Sequence, residues 1–402
     1  MEDFELERNI GCGNFSQIWH VTLKARPQES YALKIVNVQT VKRNDLVTFV
    51  QQERNAMLSL NNPGHPNVIR MIDTFRDNEN VYLLYEYAKG GELWEEIKNV
   101  GVQDKYISRV LVGQLLSGIE YIHNHGIVHR DLKCENVVID GGVLKIIDFG
   151  TSKFVDELNA EEQSGEAYNE CMGVRSGRDI KNYEIHGNHG SISLHRATMM
   201  RRKFKHYVGT PNFMPPEAIS NISSGYAGDL WAFGCTIYQL LLGFNCFNGS
   251  SNYFIYKKIK DNQIEFPDNF DPDAMDLIKQ LLCTNPRERL SLARVREHKF
   301  FAGIRDSMPH AVPLETFNTL DTALRRACYK VQESIFNLTV KRENATNDDH
   351  NEIKEAISWI EQHSTPEISD AIRFNYVRTK DQLALEIDEA NRYMAEQLPN
   401  DC

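Results

Sequence analysis

Between residues 4 and 90, apolar and polar positions alternate in short runs: Gln17-Ile18-Trp19-His20-Val21-Thr22-Leu23, Ser30-Tyr31-Ala32-Leu33-Lys34-Ile35-Val36 and Asn80-Val81-Tyr82-Leu83-Leu84-Tyr85-Glu86-Tyr87. A period of two, rich in Val, Ile and Tyr, predicts strands with one face buried. One stretch breaks it: Leu46, Phe49, Val50, Met57 and Leu58 recur at offsets near three and four, which predicts a helix. From about residue 92 the helical period dominates, notably across Val110 to His123 and Asp229 to Leu242. The pattern predicts an α+β chain in which a small sheet lobe leads into a larger helical lobe. Two segments depart from this layout. Residues 155–205 hold few apolar residues among many Gly, Ser, Asn, Glu and Arg, and read as a long flexible loop. Beyond residue 302 helical stripes return, one of Ile353, Ala356, Ile357 and Ile360, another of Leu383, Leu385, Ile387, Tyr393 and Met394.

Composition narrows the class. Of 402 residues, 41% are hydrophobic and 25% charged, enough apolar surface for a sizeable core. Lys+Arg 45 against Asp+Glu 56 leaves a net charge of −11. That balance argues against a nucleic-acid or anionic-membrane partner, which needs a basic face. No apolar run reaches the ~18–20 residues of a transmembrane segment. The start, Met1-Glu2-Asp3-Phe4-Glu5, lacks a signal-peptide pattern. Eight cysteines at no disulfide or zinc spacing fit a reducing compartment. The expected location is the cytoplasm, with the nucleus as the alternative.

Candidate chemistry begins at Ile10-Gly11-Cys12-Gly13-Asn14-Phe15-Ser16-Gln17-Ile18, where glycines between two strands let the backbone approach phosphate oxygens. Alone, such a glycine pair more often marks an ordinary hairpin. Lys34, alone, would be a snorkelling surface residue. Beside the glycine loop it becomes a candidate phosphate ligand, with Glu53 on the following helix as its ion-pair partner. Next come His129-Arg130-Asp131-Leu132-Lys133-Cys134-Glu135-Asn136 and Ile147-Asp148-Phe149-Gly150, then Met214-Pro215-Pro216-Glu217 and Asp229-Leu230-Trp231. Aspartates such as Asp131 and Asp148 usually sit in turns and caps. Their occurrence in this ordered set outweighs that reading.

With these motifs in this order, residues 4–301 resemble the protein kinase family. The resemblance implies a two-lobed protein kinase fold, with a small antiparallel-sheet lobe over 4–88 and a larger helical lobe over 89–301. The 155–205 segment would be an activation-loop insertion, and 302–402 an extension of unknown role. The implied reaction moves the gamma-phosphoryl group of Mg-ATP to a protein Ser/Thr hydroxyl, chiefly by positioning and charge neutralisation. By the same resemblance Ile10, Gly11, Cys12, Gly13, Asn14, Phe15 and Ser16 cover the phosphates, and Lys34, paired with Glu53, holds them. Ile18, Ala32 and Val138 sandwich adenine, the backbone of Glu86 and Ala88 meets its edge, Glu92 binds ribose, and Tyr85 narrows the back of the pocket. Asp131 accepts or orients the hydroxyl proton and Lys133 steadies the transferring group, while Asn136 and Asp148 bind Mg²⁺, with Mn²⁺ as the alternative. Met57, Met71, His129 and Phe149 stack between the lobes; Glu217 pairs with Arg289, Asp229 holds the catalytic loop, and Thr210 shapes the substrate site.

Asp148-Phe149-Gly150-Thr151-Ser152-Lys153, Asp229 to Leu240 and Gly249-Ser250-Ser251-Asn252-Tyr253 look like the 3-phosphoinositide-dependent protein kinases of the AGC group. That likeness implies a docking pocket for a protein partner at Val41, Val47, Val50 and Arg54, with Lys42 departing from the apolar pattern. Met214-Pro215-Pro216-Glu217 is more like the spindle-checkpoint kinases, and Cys134 replaces a usual proline. A pseudokinase scaffold is the other class, but Lys34, Asp131 and Asp148 are all in place. In the activation loop Arg130 would ordinarily pair with a phosphate, yet His206 stands where the subfamily has serine. The loop is therefore expected to order without phosphorylation, or through a displaced site such as Thr198 or Ser193. Cys171, His186, His189 and His195 form a weak zinc candidate, since structural zinc favours closely spaced cysteines. The basic run Arg196, Arg201, Arg202, Lys203, Lys205 and His206 reads first as a solvated face, and second as a dock for an acidic partner or phosphate.

Overall fold

The alternating runs form a five-stranded sheet in the order β1-β2-β3-β5-β4. The strands are β1 Phe4–Cys12, β2 Ser16–Leu23, β3 Arg26–Asn37, β4 Met71–Arg76 and β5 Asn80–Glu86, all paired antiparallel. This computed structural model describes residues 1–13, 16–102, 104–160, 209–304, 311–312, 322–341 and 346–397. The period of two separates the faces: Val21, Leu33, Tyr82 and Leu84 pack together on one, and Leu83 joins the core shared with Met57 and Met71.

Two helices cross the sheet. Helix α1, Val38–Arg43, starts where the Asn37 side chain accepts from Thr40 N, and α2 spans Val47–Leu60. The buried face of α2 is Glu53, Ala56, Met57 and Leu60, offsets of three and four. Leu58, expected on that stripe, is 46% exposed, because neighbours on a helix point about 100° apart.

In the larger lobe, α3 covers Leu93–Ile97 and α4 covers Lys105–Asn124, the latter capped by Asp104 accepting from Tyr106 N and Ile107 N. Strands β6 (Ile127–Val128), β7 (Val137–Asp140), β8 (Val143–Ile146) and β9 (Lys153–Phe154) flank the segments that hold Asp131 and Asp148. Helices α5 (Pro216–Ile219), α6 (Gly225–Leu242), α7 (Asn252–Lys260), α8 (Pro272–Leu281) and α9 (Leu292–Glu297) complete this lobe. Helix α6 is buried along almost its whole length, as a helix apolar all round must be. It ends at Gly243, φ 74°, where a Cβ would lie 2.5 Å from Val100 N, so only glycine fits. The loop expected from residue 155 begins as helix: residues 155–160 are helical and Leu158 is 4% exposed. Burial of that one leucine gives the first turns an anchor.

Among its described residues the extension holds three helices, α10 (Thr322–Lys341), α11 (Asn347–His363) and α12 (Pro366–Gln397). Cys328, Val331, Ile335, Ile353, Ile357, Ile360 and Ile372 are among the residues of its own core. Thr346 and Asp349 start α11 with a reciprocal capping box. The second expected stripe is only partly internal, since Leu383 is 8% and Leu385 66% exposed. The side of α12 that meets the large lobe starts apolar, with Ala371 and Phe374 against that lobe's core, and continues polar: Arg378, Gln382 and Glu386, four residues apart, are 6%, 9% and 7% exposed.

Inside the large lobe, Arg289 Nη1 and Nη2 donate to Glu217 Oε1 and Oε2 at 2.8 and 3.1 Å. The guanidinium also lies 5.2 Å from the Trp231 ring centre. Arg289→Met leaves Glu217 as an unpaired buried carboxylate, and is expected to cost about 3–5 kcal/mol. Urea unfolding of both proteins measures the difference; a loss below about 1 kcal/mol contradicts the pairing.

Candidate active site

Strand β3 brings Lys34 opposite Leu83 of β5 and Ile18 of β2, so its side chain leaves the sheet toward α2. There Lys34 Nζ donates to Glu53 Oε1 at 2.7 Å and Oε2 at 2.8 Å. The same ammonium lies 3.5 Å from Asp148 Oδ1. Burial pushes the Lys34 pKa down, but Glu53 and then Asp148 outweigh it and hold the group above its ordinary value. Burial raises the Asp148 pKa, and the Lys34 charge, joined by His129, Lys133 and the Gly150 N–H, takes it below its ordinary value. Asp148 takes up φ 61°, a left-handed conformation that aspartate tolerates better than most residues.

Tyr85 does more than narrow the pocket. Its hydroxyl donates to Glu53 Oε1 at 2.9 Å, so the carboxylate is held from both sides. Burial and the adjacent Glu53 charge push the phenol well above its ordinary pKa, which keeps it a donor. Ile10, Gly11, Ser16, Ile18, Ala32, Ala88 and Val138 are half-buried around the cleft, while Cys12, Gly13 and Glu92 are exposed. Gly13 N donates to Ser16 O at 2.8 Å across the glycine loop. Glu86 N already donates to Arg70 O at 3.0 Å, so a contact from Glu86 to an adenine runs through its carbonyl. Asn14, Phe15, His206 and the zinc candidates Cys171, His186, His189 and His195 lie outside the described residues. So does the basic run from Arg196, together with Ser193 and Thr198. Among the described residues no group of three or more His, Cys, Asp and Glu side chains is placed to hold a metal ion.

Between the lobes Met57, Met71, His129 and Phe149 are all buried, and His129 meets Phe149 edge-on at 4.9 Å. Below them the catalytic loop is fixed from several directions. Thr210 donates to Asp131 Oδ1 through both N and Oγ1, each at 3.0 Å. Lys133 Nζ donates to Thr210 Oγ1 at 2.6 Å and lies 2.9 Å from Asp131 Oδ2. Asn136 Nδ2 donates to Asp131 O and Oδ2 at 2.8 and 2.9 Å. Asp229, 1% exposed, accepts from His129 N and Arg130 N at 2.8 Å each.

Sequence reasoning missed three groups. His123 Nε2 lies 2.8 Å from Asp229 Oδ2, Tyr85 bonds Glu53, and Gln239 Oε1 accepts from Cys134 N at 2.9 Å. A signal existed for Gln239, which is a polar side chain flanked by Ile237, Tyr238, Leu240 and Leu241 in a buried helix.

Comparison with known proteins agrees with the order of these groups. The protein kinase domain family matches residues 4–173 and 192–301. Over 302 residues the chain is 30% identical to the serine/threonine-protein kinase PKH2 of Saccharomyces cerevisiae, covering 75% of this chain and 25% of that protein. It is 30% identical over 314 residues to 3-phosphoinositide-dependent protein kinase B of Dictyostelium discoideum, 77% of this chain and 30% of the relative. Against human 3-phosphoinositide-dependent protein kinase 1 the identity is 30% over 310 residues, 75% of this chain and 48% of the relative. The chain thus spans a quarter to about half of the length of these relatives.

Burial raises the Asp229 pKa, but the hydrogen bond with His123 and the neighbouring charges take it below its ordinary value. A carboxylate depressed on folding adds stability that is complete above its unfolded pKa and lost as pH falls through the folded one. Wild-type stability is therefore expected to fall steeply below about pH 4, and Asp229→Asn to flatten that fall. Urea midpoints between about pH 6 and 3 test it; equal slopes contradict it.

Proposed function

The chain belongs to the protein kinase family, and from that premise we propose that it is a Ser/Thr protein kinase of the AGC type. It would transfer the gamma-phosphoryl group of ATP to protein hydroxyls, upstream of other kinases. One observation carries the reading: Lys34 bridges Glu53 and Asp148 in the cleft whose floor holds Asp131, Lys133 and Thr210. A scaffold that binds nucleotide without transfer has no use for the second half of that arrangement.

Each residue then has a task that its contacts support. Lys34, fixed by Glu53 and Tyr85, holds phosphate oxygens without having to be ordered by them. Asp131 accepts or orients the proton of the incoming hydroxyl, its carboxylate aimed by Thr210 and Asn136. Lys133, beside that carboxylate, offsets charge on the transferring group. Asn136 and Asp148 fit Mg²⁺ by donor type: Asp148 offers carboxylate oxygens, and Asn136 spends Nδ2 on Asp131, which leaves Oδ1 as its ligand atom. When bound, the ion neutralises phosphate charge.

The partner reading is a docking groove on the small lobe. Val41, Val47, Val50 and Arg54 line one cavity of about 700 Å³, together with Phe75, Arg76 and Asp77. Apolar walls beside two arginines suit a peptide that carries an aromatic or aliphatic anchor next to an anionic group. Lys42 also lines it, adding a cation where the subfamily has an apolar residue.

Asp131→Asn is expected to keep fold and nucleotide binding and to lose ~10²–10⁴-fold in turnover. Lys34→Met is expected to abolish transfer as well, because it removes the phosphate contact and leaves Glu53 without its cation. Steady-state transfer from Mg-ATP to a protein substrate, with binding followed by nucleotide fluorescence, separates the two effects. Undiminished turnover in the Asp131 variant refutes the assignment.

A further inference from the structure

Cys134 stands in the catalytic loop where the family pattern has proline, which carries no backbone N–H. The exchange puts a hydrogen-bond donor into the floor of the site, at a residue that is fully buried. Buried backbone donors are almost always paired. Here the acceptor is Gln239 Oε1, 2.9 Å away in the middle of α6. The other end of that amide donates to Glu135 Oε2 at 3.1 Å and Asn245 Oδ1 at 3.2 Å, which fixes its orientation.

Asn245 is in turn held by the extension. Arg378 Nη2 donates to Asn245 O at 3.0 Å, and Nη1 donates to Cys246 O at 3.2 Å and Tyr238 OH at 3.1 Å. Tyr238 OH in turn donates to Glu265 O at 3.0 Å. The guanidinium lies 5.0 and 5.7 Å from the ring centres of Phe244 and Phe374, and among the described residues none of its hydrogen bonds goes to a carboxylate. Burying a cation against neutral acceptors is unfavourable compared with an apolar side chain of similar size. Adhesion alone does not account for arginine at this position; a fixed set of directed bonds does.

We propose that Arg378 is a positioning residue through which the helical extension steadies the catalytic loop, by way of Asn245, Gln239 and the backbone N–H of Cys134. This rests on the kinase reading, because the loop so held carries Asp131, Lys133 and Asn136. Cys134 follows Lys133 directly, so a shift of its N–H moves a side chain that meets the transferring group.

The test uses the full chain and the variant Arg378→Met, alone and combined with Cys134→Pro, which removes the donor at the end of the relay. Arg378→Met is expected to lower kcat by about 2–30-fold, the range for residues that act along such networks. KM for ATP should stay within about twofold, because the adenine pocket is untouched. Amides of residues 131–136 should exchange with deuterium faster. In the Cys134→Pro background, Arg378→Met should change kcat by less than about twofold. Unchanged kcat per folded molecule, or an equal fall in both backgrounds, overturns the proposal and leaves Arg378 a purely structural residue. Should Arg378→Met fail to fold, Asn245→Ala reads the same relay from within the large lobe, under the same two criteria. A wild-type chain without any transfer refutes the kinase reading instead, and the exchange comparison then decides the relay by itself.

Discussion

The bond between Lys34 and Glu53 is the constraint on which the rest of the site depends. It ties β3 to α2 at 2.7 Å, and the helix can meet it only in one rotation. In that rotation Ala56, Met57 and Leu60, on the same face as Glu53, fill the space between sheet and helix. Met57 then closes on Met71, Phe149 and His129, so the ion pair and the apolar column form together. An ammonium so buried is tolerable because two carboxylates face it, and Glu53 is itself held by the Tyr85 hydroxyl.

Below this hinge the catalytic loop is suspended rather than packed. Asp229 takes its backbone from beneath, Thr210 and Asn136 aim the Asp131 carboxylate, and Gln239 takes the one donor that proline would have removed. Directed polar bonds of this kind set angles that apolar contacts leave loose. The large lobe can spare such groups because α6 supplies the hydrophobic floor, with Trp231, Phe233 and Tyr238 fully buried.

Much of this was legible in the sequence, for reasons that differ between regions. The sheet lobe announces itself through strict alternation, and the kinase constellation through fixed residue types at fixed spacing. The extension was legible as helix but not as part of the catalytic lobe. Its lobe-facing stripe runs from Ala371 and Phe374 into Arg378, Gln382 and Glu386, and a periodic polar stripe reads as solvent-exposed until a partner surface is seen. Leu385 misled in the opposite direction, an apolar residue in stripe register that faces out. Tyr85 was legible as a steric wall, yet its bond to Glu53 needs the register that sets Tyr85 opposite Ala32, two positions from Lys34. Helical turns at 155–160 were missed because one leucine in a polar stretch leaves no periodic trace.

The central claim is that this cleft phosphorylates serine and threonine. That proposal rests on the cleft floor, where Lys133 donates to Thr210 and both lie against Asp131. Phosphoamino-acid analysis of a protein labelled from gamma-radiolabelled ATP by the purified full chain tests that claim most directly. Label on phosphoserine and phosphothreonine is the result this account predicts; label on phosphotyrosine, or none above that of the Asp131→Asn protein, would contradict it.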